Sequence, residues 1–467
     1  MVDFKQEVEK RKDDLLEDLK SLLRIPSERD DSKATKDAPL GPGPRDAMLK
    51  FLEIAERDGF KTKNVDNLAG YLEYGAGDEM LGVIGHMDVV PAGTGWDTDP
   101  YEPVIKDNRI YARGASDDKG PTVAAYYGLK IIKELGLPVS KRVRFIVGTD
   151  EESDWTGLNH YLKVEEVPDF GFSPDAEFPI INGEKGNMVA NLHLKGANDG
   201  EFVLDSFESG LRPNMVPGEA KAVVTMPESK IAGIVADFDN FLKENPISGS
   251  TEVAGNKVTF KITGKASHGA SPQNGENAGT YLGTFLNHYD FNGAAKEYLT
   301  IIEQFLHNDP YANHLSLEEH DKVMGDLTMN VGIFNFNKDS EDNTINLNFR
   351  FPTGTDKEII AKIEKALANF DVKVELVPGT HVPHYVPGDD PMVQTLLEVY
   401  HKHTGLPAHE QVIGGGTFGR LLKRGVAYGA MFPDSIDTMH QPNEFMSLDD
   451  LFNSAVIYAD AIYQLIK

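Results

Sequence analysis

The sequence predicts an α/β fold, in which a domain with a mixed, largely parallel sheet flanked by helices carries an inserted α+β domain with antiparallel sheets. The 467 residues exceed what one hydrophobic core usually organises. Three short apolar runs suit buried parallel strands, and each ends in acidic or histidine residues, where open α/β sheets bind ligands. From about Asn187 the strands alternate apolar and polar residues, which favours antiparallel pairing with one face covered by helices.

The first domain begins with apolar residues at helical spacing over 4–23, and this helix is expected to end before Pro26. Pro121 suits the first turn of a later helix, which Gly136 ends. The remaining elements expected in this part of the chain are helices near 45–57 and 155–164, strands near 71–74, 80–85 and 143–148, and a hairpin within 96–111.

The inserted domain is expected to span 187–384, with hinges near Gly186 and His384, so that 1–186 and 385–467 form one discontinuous domain. After the insertion, the chain is expected to form a helix, then a glycine-rich segment at 414–420, a strand and a final helix. The elements expected from here on are strands at 188–195, 221–226, 257–263 and 426–432, and helices at 230–242, 277–288, 392–403 and 448–466.

Charge and composition narrow the possible partners. The 46 basic and 74 acidic residues give a formal net charge of −28, which repels phosphate backbones and anionic membrane surfaces. Nucleic acid and membranes are therefore not expected as partners. The absence of cysteine excludes disulfides, thiolate nucleophiles and cysteine-bound metals. The first residues lack the apolar core of a signal peptide, and no run has the length of a membrane span, so we expect a cytoplasmic protein.

The apolar run at 81–85 ends in His86, and Asp88 follows two positions later. On an extended backbone these two side chains leave the strand on the same face. Such a pair suits a metal site, because one imidazole nitrogen can bind the ion while a carboxylate holds the other N–H. Taken alone, however, a histidine and an aspartate at this spacing more often form a structural hydrogen bond.

Further candidate ligands occur at or near predicted loops. Two metal ions held by oxygen and nitrogen require a bridging carboxylate and, on each side, one more carboxylate and a histidine. Each candidate alone has an ordinary structural explanation, such as a helix cap or a turn residue, but together they predict a dinuclear site. The set is His86, Asp117, Glu152, Asp175 and His440.

Glu151 and Glu152 are adjacent carboxylates, which repel each other in a partly buried site. One of them can bind metal while the other takes a proton from water.

The glycine run at 414–416 lacks the lysine and hydroxyl residue of a phosphate loop, so nucleotide binding is rejected. Its remaining interpretations are close approach of the backbone to a substrate and a flexible turn. The Gly-x-Ser-x-Gly signature of serine hydrolases is absent.

Five motifs in order, at 86–91, 114–120, 150–153, 173–177 and 264–269, resemble those of the aminoacylase, acetylornithine deacetylase and dipeptidase family of dinuclear metallohydrolases. Further segments at 181–186, 214–217, 350–352 and 414–420 are most similar to those of the bacterial V-type dipeptidases. The resemblance covers nearly the whole chain. It implies a catalytic domain with an inserted lid, and two divalent ions, zinc or alternatively manganese or cobalt.

The resemblance also implies a role for each matching residue. Asp117 would bridge the two metals, with His86 and Asp175 on one ion and Glu152 and His440 on the other. A metal-held hydroxide would attack the peptide carbonyl. The remaining roles are Glu151 as general base, Asp88 as the residue that orients His86, His268 as the oxyanion stabiliser, and Asn214, Arg350, Gly414, Gly415 and Gly416 as substrate-binding residues.

The leading hypothesis is therefore a metal-dependent dipeptidase that acts on small dipeptides. Two alternatives use the same fold: a deacylase of N-acyl amino acids, and a catalytically silent binding protein. All five predicted ligands and Glu151 are present, which favours an enzyme over a silent relative. The inserted segment is larger than a simple dimerising lid needs, and V-type dipeptidases supply the lid histidine from the same chain, so we expect a monomer.

Overall fold

A computed structural model of the protein describes residues 2–196, 199–340 and 342–467. The chain divides into two compact units. The first extends up to Gly183 and resumes from His384 to Lys467, and the second is Glu184–Pro383. The predicted fold class is confirmed, because helices are combined with a mixed sheet in the first unit and an antiparallel sheet in the second. The roles of the two units as catalytic domain and lid stay a prediction.

The helices of the described residues are numbered in chain order. Among them, none combines the length and the apolar character needed to cross a bilayer. Their bounds are α1 (Phe4–Glu9), α2 (Lys12–Leu23), α3 (Pro42–Arg57), α4 (Lys119–Glu134), α5 (Thr156–Val164), α6 (Glu228–Glu244), α7 (Ala278–Asn287), α8 (Gly293–Ile301), α9 (Asp356–Ala366), α10 (Pro391–Thr404) and α11 (Leu448–Ile466).

The strands are numbered in the same way. Those of the first part of the chain are β1 (Lys61–Val65), β2 (Ala69–Tyr74), β3 (Met80–His86), β4 (Val104–Lys106), β5 (Arg109–Tyr111), β6 (Arg142–Gly148), β7 (Phe170–Ser173), β8 (Ala176–Glu177) and β9 (Gly183–Glu184). They are followed by β10 (Gly186–Leu194), β11 (Val203–Ser209), β12 (Glu219–Thr225), β13 (Ser248–Ala254), β14 (Lys257–Thr263), β15 (His320–Asp321), β16 (Gly325–Asp326), β17 (Thr328–Asn337), β18 (Asn343–Phe351) and β19 (Val372–His381). The returning chain adds β20 (His384–Tyr385), β21 (Val412–Ile413), β22 (Gly425–Ala427), β23 (Ala430–Met431) and β24 (Phe445–Ser447).

The single helix expected over 4–23 is divided into α1 and α2. Lys10 and Arg11 separate them, and Arg11 has a φ of −118° and a ψ of 7° that interrupt the helix. Its backbone N–H bonds to Val8 O at 2.9 Å, and its guanidinium donates to Glu7 O at 2.8 Å. The Arg11 side chain therefore takes the carbonyl that its own N–H would use in a continuous helix.

The main sheet of the first unit has the strand order β1-β2-β6-β3-β7-β22. Strands β6, β3, β7 and β22 are mutually parallel, and β1 and β2 add antiparallel pairs. All seven residues of β3 are buried, as expected for a central strand with both faces covered. Because the inner strands are parallel, their carboxyl ends His86, Gly148 and Ser173 lie at one edge of the sheet.

Helices α4 and α11 pack against each other in the first unit. Gly128 permits a close approach, because a Cβ at this position would lie only 2.8 Å from the backbone nitrogen of Ala459. Most residues of α4 are buried, including its first turn from Lys119. The packing of α4 fixes the position of the segment that precedes it, which contains Asp117.

The second unit is built on an eight-stranded antiparallel sheet with the order β13-β14-β12-β11-β17-β18-β10-β19. Helix α7 packs against β12 and β14, and α9 packs against β19. Aromatic side chains from α6, β14 and α7 meet in the core of this unit, where the rings of Phe238, Phe260 and Phe285 lie 4.9–5.6 Å apart.

Candidate metal centre

The edge formed by the carboxyl ends of the parallel strands gathers most of the predicted ligands. His86 ends β3, Glu151 and Glu152 follow β6, and Asp175 follows β7. Two sets of donor atoms each lie within 4.8 Å of one another. These sets are His86, Glu151 and Asp175, and His86, Asp117 and Glu152.

The two nitrogens of the buried His86 ring have different neighbours. Nδ1 lies 3.0 Å from the backbone oxygen of Asp88 and 3.3 Å from its Oδ1. Nε2 lies 3.1 Å from Asp117 Oδ1 and 3.7 Å from Asp175 Oδ2. Asp88 thus sits behind the ring, and the opposite nitrogen faces the carboxylates, an arrangement that fixes the tautomer of a metal-binding histidine.

The carboxylate of Asp88 also accepts two backbone hydrogen bonds. Oδ1 accepts the N–H of Glu151 at 3.0 Å, and Oδ2 accepts the N–H of Glu152 at 3.1 Å. Asp88 therefore ties the end of β3 to the loop after β6 and sets the backbone position of both glutamates.

Asp117 stands between the two histidines. Its Oδ1 lies 3.1 Å from His86 Nε2 and its Oδ2 lies 2.9 Å from His440 Nε2. Burial alone would raise the pKa of this carboxyl, but the hydrogen bonds from His440 and His86 hold the pKa well below its usual range. One oxygen directed to each side is the arrangement that a bridging carboxylate needs.

His440 completes the cluster from a segment far along the chain. Its Nε2 also lies 3.0 Å from Glu152 Oε1, and hydrogen bonds to Asp117 and Glu152 raise the pKa of His440 to about 10. The residue has a φ of 62°, in the left-handed region that side chains other than glycine seldom adopt. Such backbone strain is concentrated at functional sites.

The donor set fits divalent metal. Burial and then the charge of Asp117 raise the pKa of Glu152 to about 7, and the same two causes raise the pKa of Asp175 well above its usual value. Burial is the largest cause that raises the pKa of Glu151, and the neighbouring carboxylates raise it further. Mutual repulsion of this kind is relieved by a divalent cation, and carboxylate oxygens with imidazole nitrogens are ligands that zinc accepts.

Two carboxylates that sequence reasoning did not assign also contact this region. Asp118 Oδ2 accepts the backbone N–H of His86 at 3.2 Å and the hydroxyl of Thr122 at 2.6 Å. Glu444 accepts the N–H of Asp117 at 3.1 Å. The adjacency of Asp118 to a predicted ligand was an available signal, whereas Glu444 is separated from Asp117 by most of the chain.

Three residues with predicted substrate-binding or catalytic roles lie in the second unit, namely Asn214, His268 and Arg350. The N–H of Gly269, next to His268, donates to Asn214 O at 2.8 Å. Partial burial and the positive charge of Arg350 lower the pKa of His268. In the first unit, the glycines at 414–416 follow β21 and are partly buried. The roles predicted for all of these residues stay predictions.

The gathered imidazoles and carboxylates suit a hydrolase, and comparison with known proteins shows that the chain is a hydrolase of the peptidase class. Residues 82–464 match the peptidase family M20/M25/M40, and the chain belongs to this family. It is similar to a Beta-Ala-Xaa dipeptidase of Lactobacillus delbrueckii subsp. lactis, with 44% identity over 470 residues that cover 100% of this chain and 99% of the relative. The resemblance indicated by the sequence motifs is thereby confirmed.

Solved structures show the same fold at low identity. Human carnosine dipeptidase 1 aligns with a TM-score of 0.57 and 16% identity, covering 99% of this chain and 98% of that one. The aminoacylhistidine dipeptidase from Vibrio alginolyticus aligns with a TM-score of 0.57 and 13% identity, covering 97% and 96%.

Proposed function

We propose that this peptidase is a dipeptidase that depends on two divalent metal ions. The observation that carries the proposal is the convergence of His86, His440 and several carboxylates around Asp117, at the edge where parallel strands end. The similarity along the full length to a Beta-Ala-Xaa dipeptidase supports the substrate class. Both alternatives from the sequence, a deacylase and a silent binding protein, are outcomes of the experiment below.

The ligand assignment follows the neighbours of each oxygen. Asp117 would be shared, with His86 and Asp175 on one ion and Glu152 and His440 on the other. Two such ions supply Lewis acidity, which polarises a peptide carbonyl and lowers the pKa of water from about 15.7 towards 7. Zinc is the proposed metal, and manganese and cobalt suit the same nitrogen and oxygen donors.

Glu151 is the proposed general base. Its backbone is held at both ends, because its N–H donates to Asp88 and its carbonyl accepts the Trp155 indole N–H at 2.7 Å. Burial raises the pKa of Glu151, so this side chain can accept a proton from the attacking water and pass it to the leaving amine. Proton transfer of this kind typically contributes about 10²–10⁴-fold to the rate.

The remaining roles rest on the family resemblance. His268 would donate a hydrogen bond to the oxyanion, a contribution typically of about 10²–10³ in turnover. Arg350 suits a terminal carboxylate, because its planar guanidinium can bind both oxygens at once. Asn214 and the backbone of Gly414–Gly416 would hold the rest of the dipeptide.

The test combines metal analysis with a substrate panel. Purified protein should contain two divalent ions per chain and cleave dipeptides faster than tripeptides or N-acetyl amino acids when these compete in one assay. Faster cleavage of acetyl amino acids would replace the proposal with the deacylase, and faster cleavage of tripeptides would refute the substrate class. Full metal content without cleavage of any of these substrates would favour the catalytically silent binding protein.

Glu151→Gln tests the mechanism, with Glu53→Gln, an exposed glutamate of α3, as the matched control. Glu151→Gln should lower kcat by about 10²–10⁴-fold while the metal content is retained. The control should keep the wild-type kcat. Unchanged turnover in Glu151→Gln would rule out the proposed base.

A further inference from the structure

Glu444 lies fully buried beside the segment that carries Asp117, and its carboxylate accepts four hydrogen bonds. Oε1 accepts the backbone N–H of Ser116 at 2.8 Å and that of Asp117 at 3.1 Å. Oε2 accepts the backbone N–H of Gly114 at 3.0 Å and Nη1 of Arg113 at 2.7 Å. Each oxygen is therefore matched to two donors of one short segment, which wraps around the carboxylate.

The backbone explains how Glu444 arrives there. It immediately precedes β24, which pairs antiparallel with β5, and Ala112 N–H extends this pairing by donating to Glu444 O at 3.1 Å. Gly114 then has a φ of 87°, which turns the chain so that the following N–H groups face the carboxylate. The pairing brings a residue from the His440 segment into contact with the Asp117 segment.

The Arg113 side chain extends this link to a third segment. Its Nη2 lies 3.4 Å from the carbonyl oxygens of Pro91 and Ala92, which follow Asp88 in the chain. The guanidinium lies over the Trp96 ring, 5.3 Å from its centre. The buried ion pair of Glu444 and Arg113 thus joins the segment after Asp88 to the segment that carries Asp117.

We propose that Glu444 is a positioning residue that holds Asp117 at the place where it can serve two metal ions. The inference rests on the proposed function. It depends on the number of acceptor oxygens, because a carboxylate has two while a glutamine of the same shape has one. In Glu444→Gln the amide NH₂ would face either the Gly114 and Arg113 donors or the Ser116 and Asp117 donors, and the segment must shift.

The experiment measures zinc affinity in metal-free protein by competition with a chromogenic chelator. Groups that orient metal ligands typically contribute about 10–100-fold to metal affinity, so Glu444→Gln should bind Zn²⁺ more weakly by that factor. Its dipeptidase activity should rise on addition of excess Zn²⁺, whereas the wild-type activity should already be saturated. Circular dichroism of the metal-free proteins checks that both are folded.

Asp460→Asn is the matched control, because Asp460 is also a buried carboxylate but bonds to Lys402 and His403 on α10. It should keep the wild-type zinc affinity. Wild-type affinity in Glu444→Gln, or an equal loss in Asp460→Asn, would overturn the inference.

A second variant keeps the inference testable if Glu444→Gln fails to fold, and the wild-type protein distinguishes failure of the inference from failure of the proposed function. If Glu444→Gln does not fold, Glu444→Asp replaces it, because the shorter side chain keeps both oxygens but draws them away from their donors. Its zinc affinity should also fall, and an unchanged value would overturn the inference. Failure of the wild-type protein to bind zinc, manganese or cobalt would instead refute the proposed function.

Discussion

Asp88→Asn is the most informative substitution outside the proposed ligands. The two carboxylate oxygens of Asp88 each accept one backbone N–H, from Glu151 at 3.0 Å and Glu152 at 3.1 Å. Asparagine keeps the shape but offers one acceptor, so its NH₂ group must face one of these donors. One hydrogen bond is lost and the other is no longer charge-assisted, so the loop that carries the proposed base loses its fixed position.

The size of the effect follows from that single bond. A hydrogen bond to a charged group contributes about 1.5–3 kcal/mol, and about 1.4 kcal/mol corresponds to a factor of ten. We therefore expect kcat/KM to fall by about 10–150-fold. Asp88 contacts the proposed base Glu151 through its backbone N–H and the proposed ligand His86 through its ring. The loss should therefore lie in kcat, with KM unchanged.

The assay is steady-state cleavage of a dipeptide at saturating zinc, together with zinc analysis of the same samples. Asp78→Asn serves as the control, because Asp78 is exposed in the bend before β3. A wild-type kcat in Asp88→Asn, or a change confined to KM, would refute the reasoning.

Four further outcomes are expected. Dialysis against a chelator should abolish dipeptide cleavage and added Zn²⁺ should restore it, whereas activity that persists without metal would contradict the proposed centre. Phe172→Ala, which removes a fully buried ring stacked 5.8 Å from Tyr458, should lower the free energy of unfolding by about 3–5 kcal/mol in urea denaturation, and a wild-type value would contradict this packing. Burial opposes ionisation of Asp460, but hydrogen bonds from His403, Gln464 and Lys402 lower its pKa. Asp460→Asn should therefore destabilise the protein at pH 7, and the difference in unfolding free energy from the wild type should shrink below about pH 4. A difference that grows below this pH would contradict the reasoning. Light scattering should show a monomer, and a stable dimer would overturn that prediction.

Much of the fold was predictable where a residue pattern reflects burial. The run at 80–85 predicts β3, and apolar residues at helical spacing predict α10 and α11 within a residue or so of their bounds. The edge strand β13 left no such pattern, because nearly all of its residues are exposed and it contains glycine, serine and glutamate. The break at Arg11 depends on a side chain that bonds to the backbone, and neither proline nor glycine marks it.

The candidate site was predictable to the level of which side chains meet. His86, Asp117, Glu152, Asp175 and His440 were placed together because each stands in or beside a loop and the set matches two metals. The contact of Asp88 with His86 was also predicted, whereas the hydrogen bonds accepted by Glu444 were not predictable. Three of the four donors to Glu444 are backbone N–H groups, which every residue except proline carries, so they leave no trace in the sequence.

The chain order of the first unit has a consequence for biosynthesis. Glu152 and His440 are 288 positions apart, and the whole second unit, Glu184–Pro383, lies between them. A nascent chain emerging from the ribosome therefore displays β3, β6 and β7 with their acidic loops long before His440, Glu444 and α11 are translated. A metal ion captured at that stage would meet an incomplete set of the proposed ligands. Under the proposed function, stable loading would follow translation of this late segment. The surface of α4 that packs against α11 also stays uncovered until then.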